Sequence, residues 1–492
     1  MKALQKLWTP ARTIGAIALV GTLALGACGA SGVTSSGSTA TSATAVVAAS
    51  GTNGDTTAPP TAADALASNA KASYVKDSDW KASDAVDVTL SGTTATSSSD
   101  AVSVSDGVLT ISKAGVYKLS GSFTGKVVVA AGSEDRVVLI LDNATITSST
   151  GAAIEATSGD DLVLSLEGAS TITDGTYTGT EDANAAIYAD MDLTITGSGT
   201  LNVTSGASDA ITSKDDLYVL SGTINATASD DGLRGKDSLT IAGGTVTVNS
   251  GGDALKSDQD NDDTKGYVNI ADGTVTLTSS DDGINASGSI TVEAGLAAVA
   301  ESSSDSTTTD TTTTTQQMGP GGMADGGGSM EDTGEQLTIT GGTVTVNANG
   351  DGLDSNGSLT ISGGTTTVYG PASGASGALD SNGAMSITGG TVIAFATNEM
   401  VETPTTTDGQ GWVSASATGS AGSTVTITDS SGSVLGTYTS LKAFGNVIYS
   451  TSGMTNGSTY TVSVDGTATE ATAGQGGGMG MGPGGQGGQP PE

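Results

Sequence analysis

The chain has 492 residues, of which 52 are acidic and 16 basic, with no histidine, one cysteine and 3% aromatic residues. The lack of histidine excludes His-based catalytic triads and most zinc sites, and the net charge of −36 argues against nucleic acid or an anionic membrane surface as a partner. So few large apolar side chains predict a repetitive β-rich fold with thin layers.

The chain begins with a basic segment followed by an apolar run at residues 14–25, which is short for a membrane span. This run ends in Leu-Gly-Ala-Cys at Cys28, which resembles the bacterial lipobox. We therefore predict a lipoprotein signal peptide at 1–27, lipidation of Cys28, and attachment to the extracellular face of the membrane only through that lipid. The alternative is an ordinary signal peptide. Residues 28–72, rich in Ser, Thr, Ala and Gly, predict a flexible stalk.

Residues 73–400 repeat short strands and glycine turns with a period of about 22 residues, which is typical of a solenoid. In one such repeat the strands are predicted at 232–234, 238–241 and 245–248, with alternating residues such as Leu239 and Ile241 facing inward. Three short strands per repeat predict an all-β fold, a right-handed parallel β-helix whose coils stack about 4.8 Å apart.

Two segments depart from this period. Residues 296–336, rich in Thr, Asp, Met and Gly, predict a disordered insertion, because they cannot form a packed core. Residues 401–468 show a hairpin pattern instead, which predicts a small β module covering the last coil. Residues 469–492 predict a Gly- and Met-rich disordered tail.

Aspartates recur at one position of successive repeats, 22 residues apart from Asp209 to Asp253. Stacked on neighbouring coils, two such charges repel by about 1 kcal/mol in water and about 3–4 kcal/mol at an effective dielectric near 20. Calcium would relieve this repulsion, because it binds six to eight oxygen ligands. The alternative is that these aspartates accept backbone N–H bonds in turns and point into solvent. The predicted calcium ligands are Asp209, Asp230, Asp231, Asp253, Asp281, Asp282, Asp351, Asp354 and Asp380.

Four of the scarce basic residues follow the repeated aspartates by three or five positions: Lys214, Arg234, Lys236 and Lys256. They predict a strip of positive charge beside the carboxylates. One interpretation is local ion pairing, worth about 0–1 kcal/mol for each exposed pair. The other is a ligand-binding strip for a polyanion, in which an arginine grips a carboxylate with two hydrogen bonds. Both interpretations remain open.

Several motifs resemble a known family: Asp-Asp-Gly-Leu/Ile, Gly-Gly-Thr-Val-Thr-Val and, most specifically, Asn-Gly-Asp-Gly-Leu-Asp-Ser-Asn-Gly at 349–357. They look like those of the bacterial carbohydrate-binding β-helix proteins, over residues 80–466. The resemblance implies a right-handed parallel β-helix that is secreted or surface-attached, binds calcium and binds polysaccharides such as polygalacturonate or cellulose. The insertion, Arg234 and Lys256 depart from the pattern.

The leading hypothesis is therefore a monomeric cell-surface lipoprotein that binds uronate-rich or cellulose-like polysaccharide through a calcium-bearing face. The first alternative is a calcium-dependent, pectate-type polysaccharide lyase with Lys256 or Arg234 as its base. The second is a structural surface adhesin with no ligand site, in which the aspartates bind calcium only for stability. Only Tyr218, Tyr267 and Tyr369 lie on the coils as aromatic platforms, which favours uronates slightly over neutral glucans.

Overall fold

The all-β prediction is confirmed in a computed structural model of the chain. The described residues are 73–179, 182–259, 265–287, 334–374, 376–405 and 409–475. Apart from one-turn 3-10 helices at Asp77–Asp79 and Ala82–Asp84, their regular structure consists of strands. Within these ranges, no helix has the length and apolarity that a membrane crossing requires.

The N-terminal part contains two hairpins that end the two large sheets. Strands β1 and β2 pair antiparallel, as do β3 and β4, and the strands after them pair parallel. The hairpins thereby cover the first coil. The ten strands are β1 (Val86–Gly92), β2 (Thr94–Ser97), β3 (Val102–Ser105), β4 (Val108–Ile111), β5 (Gly115–Thr124), β6 (Lys126–Ala130), β7 (Arg136–Thr147), β8 (Ile154–Ser158), β9 (Asp161–Glu167) and β10 (Ala169–Thr173).

Among the described residues, seven regular coils follow, each with three strands. The first three coils comprise β11 (Ala185–Ala189), β12 (Asp192–Gly197), β13 (Thr200–Thr204), β14 (Asp209–Ser213), β15 (Asp216–Val219), β16 (Thr223–Thr227), β17 (Leu233–Gly235), β18 (Ser238–Ile241) and β19 (Thr245–Ser250). The next four comprise β20 (Leu255–Ser257), β21 (Tyr267–Ile270), β22 (Thr274–Ser279), β23 (Ile284–Ala286), β24 (Gln336–Ile339), β25 (Thr343–Asn347), β26 (Leu353–Ser355), β27 (Ser358–Ile361), β28 (Thr365–Tyr369), β29 (Leu379–Ser381), β30 (Met385–Ile387) and β31 (Thr391–Ala396).

The coils stack into three columns of parallel strands. Column 1 contains the first strand of each coil (β11, β14, β17, β20, β23, β26, β29), column 2 the second and column 3 the third. Equivalent residues therefore align: Arg234 pairs in register with Thr212 on one side and Lys256 on the other. The predicted right-handed winding stays a prediction.

One apolar core runs through the stack. In the repeat analysed above, Leu239, Ile241, Val246 and Val248 are all buried, as the alternation predicts. Removing such side chains from water at every coil stabilises the stack by about 1.5–3 kcal/mol per large residue. Thr240, which the same alternation turns outward, is also buried, so column 2 is covered on its outer face as well.

Residues 73–80, here called the N-terminal strap, cover part of that outer face. The backbone N–H of Val75 donates to Thr194 Oγ1 at 3.0 Å, and the Tyr74 ring stacks on Tyr218 with centroids 4.2 Å apart. Further along, Trp80 packs against a buried cluster that includes Val138 and Ile140 of β7. The unbroken apolar run of β7 is thus explained, because this strand is buried on both faces.

The C-terminal strands are antiparallel and continue from the last coil. They are β32 (Trp412–Gly419), β33 (Thr424–Thr428), β34 (Val434–Thr439), β35 (Phe444–Ser450), β36 (Thr459–Val464) and β37 (Thr467–Thr472). Strand β35 pairs with β31, and Phe395 of β31 contacts the Phe444 ring at 5.1 Å. The final parallel edge of column 3 is therefore paired rather than exposed.

Several predictions concern residues outside the described part of the chain: the signal peptide, Cys28, the stalk and nearly all of the 296–336 insertion. Strand β24 begins at Gln336, the last residue assigned to that insertion, and β37 extends to Thr472, inside the stretch assigned to the tail. The domain boundaries themselves stay predictions.

Candidate functional site

The repeated aspartates form a hydrogen-bonded ladder at the corner that leads into column 1. From Asp231 onward, the backbone N–H of each ladder residue donates to Oδ1 of the aspartate one coil earlier. The links are Asp231 to Asp209 at 3.2 Å, Asp253 to Asp231 at 2.9 Å, Asp282 to Asp253 at 3.1 Å, and Asp351 to Asp282 at 2.6 Å. Gly377 closes the ladder on Asp351. One carboxylate oxygen of each aspartate thus joins two coils.

The aspartates accept backbone N–H bonds, as the turn interpretation expects, but they do not point into solvent. Asp209, Asp231 and Asp253 are 1%, 6% and 3% exposed. Their second oxygens, Oδ2, contact hydroxyl, amide and ammonium groups of nearby side chains at the same corner. Thr212 Oγ1 donates to Asp209 Oδ2 at 2.9 Å, for example.

Two groups of three aspartates bring carboxylate oxygens within 4.8 Å of one another. Group 1 is Asp209, Asp230 and Asp231, and group 2 is Asp253, Asp281 and Asp282. Each group has two buried or half-buried ladder members and one exposed member. Closely spaced carboxylate oxygens are the ligands that calcium prefers.

A glycine at the neighbouring coil makes room for each group. A Cβ on Gly252 would lie 2.6 Å from Asp231 Oδ1 and 2.9 Å from Asp230 Oδ1. A Cβ on Gly350 would lie 2.3 Å from Asp282 Oδ1 and 2.8 Å from Asp281 Oδ1. A coil that begins with Asp-Asp therefore requires a glycine before the ladder aspartate of the following coil. This requirement explains why Asp-Asp and Gly-Asp alternate along the sequence.

Lys256 lies between the two groups. Its Nζ is 3.1 Å from Asp231 Oδ2, in group 1, and 2.9 Å from Asp253 Oδ2, in group 2. Burial alone would lower the pKa of Lys256, but the two carboxylates raise it overall. Lys256 is therefore a protonated, built-in cation of the ladder.

Arg234 is also paired with carboxylates. Its Nε and Nη2 bind Asp258 at 3.0 and 2.6 Å, while Nη1 lies 3.9 Å from Asp209 Oδ2. Lys214 and Lys236 are half-buried and follow column 1 strands, and their backbone N–H groups donate to the preceding coil. The contacts thus favour ion pairing for Arg234 and Lys256, and the ligand-binding assignment of all four residues stays a prediction.

The remaining predicted metal ligands lie at the C-terminal end of column 1. Asp354 pairs in register with Asp380, one position after Leu353 and Leu379. Glu402, which sequence analysis did not single out, joins them: its Oε2 accepts the backbone N–H of Ser381 at 3.0 Å. Glu402 follows Asp380 by one further repeat period, a spacing that could have identified it. With Asp351, these carboxylates are here called group 3; among the described residues, only groups 1 and 2 bring three carboxylates together within 4.8 Å.

Burial raises the pKa of several of these carboxyl groups, and neighbouring carboxylates raise it further. The pKa is about 7 for Asp209, about 6 for Asp253 and about 8 for Asp282. In group 3 it reaches about 9 for Asp354 and about 7 for Glu402. The ionised ladder is thus costly without a counter-cation, and a bound divalent cation would remove that cost.

None of the three aromatic candidates offers a free ring face for a sugar. Tyr218 is covered by Tyr74 of the N-terminal strap, and Tyr267 is 2% exposed. Tyr369 stacks on Phe395 at 5.2 Å. A sugar bound on the described coils would therefore be held by polar and ionic contacts.

Comparisons with known proteins identify one family and two similar proteins. A model of carbohydrate-binding domain-containing proteins matches residues 105–374, more than half of the chain. A carbohydrate-binding domain-containing protein of Acetivibrio thermocellus is 33% identical over 137 residues, 26% of this chain and 48% of the relative, so the chain spans about half the length of the curated relative it matches. The solved structure of a polysaccharide lyase-like protein from C. thermocellum, a gadolinium derivative, is similar over 56% of this chain and 96% of that one, with 26% identity and a TM-score of 0.45.

Proposed function

Because the chain belongs to the family of carbohydrate-binding domain-containing proteins, we propose that it binds an acidic, plant-type polysaccharide through cations held on the aspartate ladder. The observation that carries the proposal is the pair of carboxylate groups, each with oxygens within 4.8 Å. Cations on these two groups would present positive charge to sugar carboxylates at two places along the stack of coils.

Calcium fits the residues present. Group 1 and group 2 supply only carboxylate oxygens, the corner adds backbone carbonyls, and the bare glycines leave space beside the carboxylates. The raised pKa values of Asp209 and Asp282 support a cation there, because the ladder lacks full charge compensation. Bound calcium would supply charge and open coordination positions to the glycan.

The parallel columns support a right-handed parallel β-helix, to which the motifs at 349–357 also point. The lipobox-like segment ending at Cys28 supports a lipid-anchored location on the extracellular face. We include both in the proposal: a monomeric surface lipoprotein whose coils present the ladder to polysaccharide outside the cell.

The contacts do not favour the lyase alternative. A base must be deprotonated, but Lys256 binds two carboxylates and its pKa is raised. Arg234 is held by Asp258, and its pKa is raised despite burial. Binding without cleavage is therefore the function that the described residues support best.

The test is binding of the purified full-length protein to polygalacturonate and to cellulose, with calcium and with a chelator. We expect calcium-dependent binding to polygalacturonate, and no unsaturated product of the kind that a lyase would release. A double variant, Asp230→Asn with Asp281→Asn, changes the exposed member of each group and should weaken binding. The double variant Asp87→Asn with Asp100→Asn, which removes the same charge from two exposed residues of the N-terminal hairpins, is the charge-matched control.

Binding that is unchanged by the chelator, or no binding to polygalacturonate, would refute the proposal. Accumulation of unsaturated product would replace it with the lyase.

A further inference from the structure

Arg234 already holds one carboxylate, and that carboxylate belongs to the chain itself. Its guanidinium binds both oxygens of Asp258, at 3.0 Å from Nε and 2.6 Å from Nη2. The two side chains are 18% and 21% exposed, so the pair is open to solvent at one edge. This two-bond geometry is the one by which arginine recognises any carboxylate, including that of a uronic acid.

Asp258 replaces a basic residue at this place in the repeat. Five positions after the ladder aspartate, the two preceding coils carry Lys214 and Lys236, whereas this coil carries Asp258. The adjoining residues hold it in position: Ser257 Oγ donates to the Lys236 carbonyl at 3.2 Å, and Gln259 Nε2 donates to Asp237 Oδ1 at 2.5 Å. These contacts of the residues before and after Asp258 hold its carboxylate facing Arg234.

The pair also adjoins group 1. The third nitrogen of the guanidinium, Nη1, lies 3.9 Å from Asp209 Oδ2, close enough for attraction but too far for a hydrogen bond. A sugar carboxylate that took the place of Asp258 would therefore lie beside the proposed cation site. Ligand charge could then be bound by arginine and cation together.

We propose that Asp258 is an internal substitute for a ligand carboxylate, and that Arg234 is the recognition residue for uronates that Asp258 keeps occupied. This inference rests on the proposed function and adds a means of selecting among acidic ligands. An internal competitor acts at the high effective concentration of a tethered group. A single acidic sugar displaces it poorly, whereas a polymer that is also held at the neighbouring groups does so more readily. This competition selects acidic polymers over free uronic acids.

The decisive variant is Asp258→Asn, which keeps an acceptor near Arg234 but removes the competing charge. We expect its affinity for oligogalacturonate at saturating calcium to rise about fivefold, the factor for losing one partly exposed ion pair. Its affinity for galacturonic acid monomer should rise by a larger factor, so the preference for polymer should shrink. Adding Arg234→Gln should abolish both gains.

Asp100→Asn is the matched control, because it removes one negative charge from an ion pair on β3's hairpin, remote from the ladder in the fold. An equal gain in this control would attribute the effect to net charge and overturn the proposal. Unchanged or reduced affinity of Asp258→Asn would also overturn it. If wild type fails to bind but Asp258→Asn binds, the proposed function of the natural chain fails while this inference stands. If neither binds, both fail.

Discussion

The backbone N–H of Asp253 donates to Oδ1 of Asp231, one coil earlier, at 2.9 Å. The other oxygen of the same carboxylate lies 3.1 Å from Lys256 Nζ. Each ladder aspartate therefore has two roles: Oδ1 joins coils, and Oδ2 faces the charged corner. Stability and cation binding therefore depend on the same residues, so unfolding measurements with and without calcium also report cation binding.

The calcium-free protein should lose stability as pH rises. The pKa values of Asp209, Asp282 and Asp354 are about 7, 8 and 9 in the folded chain, against an ordinary value of 3.8. Between about pH 4 and pH 9 the folded state therefore binds more protons than the unfolded state, and the free energy of unfolding falls with pH. Urea unfolding at pH 5, 7 and 9 in chelator checks this.

Saturating calcium should remove most of that decline, because a cation on the ionised groups replaces the missing protons. An unfolding free energy that rises with pH in chelator would contradict the assignment of these raised pKa values.

Asp282→Asn should stabilise the calcium-free protein and weaken its calcium binding. In the wild-type chain the N–H of Asp351 donates to Asp282 Oδ1 at 2.6 Å. The amide of the variant keeps an oxygen for this bond but places no charge beside Asp253. We expect a higher melting temperature in chelator and a smaller increase on adding calcium than in wild type. Asp87→Asn, on the exposed face of β1, is the control. A lower melting temperature in chelator would show that the ionised form is needed for folding.

Gly350→Ala should weaken calcium binding at group 2. The added Cβ would lie 2.3 Å from Asp282 Oδ1 and 2.8 Å from Asp281 Oδ1, so these oxygens must move. Calorimetric titration should show at least one calcium site weakened about tenfold or more, a change of about 1.4 kcal/mol. Gly206→Ala is the matched control, because a Cβ there has no neighbour within 4 Å. Equal affinities in the two variants would remove group 2 from the proposed site.

Lys256→Met should lower stability without calcium by about 1–3 kcal/mol, since it leaves Asp231 and Asp253 without their shared ammonium. Calcium should then stabilise this variant more than it stabilises wild type, because a divalent ion no longer competes with the lysine. Scanning calorimetry with and without calcium measures both effects. Lys113→Met, from an exposed pair, should change neither.

The repeat and the ladder could be read from the sequence because both depend on spacing along one chain. Alternation identified Leu239 and Val246 as core residues, and the 22-residue period brought Asp209 and Asp231 together. The pairing of Arg234 with Asp258 was harder to predict, because it joins residues on neighbouring coils at different positions of the repeat. Local alternation also gave no sign that Thr240 is buried, because a period of two predicts only which side of a strand a residue faces.

The register of column 1 persists across a long interruption of the chain. Asn285 and Asp354 are paired neighbours, and the N–H of Asp351 binds Asp282, 69 residues earlier in sequence, as Asp253 binds Asp231 only 22 residues earlier. Coil-to-coil contacts, rather than chain length, therefore define where the next coil lies. The covalent link at that point is dispensable in principle: a chain cut within 288–333 should leave two fragments that recognise each other, like two halves of a split protein.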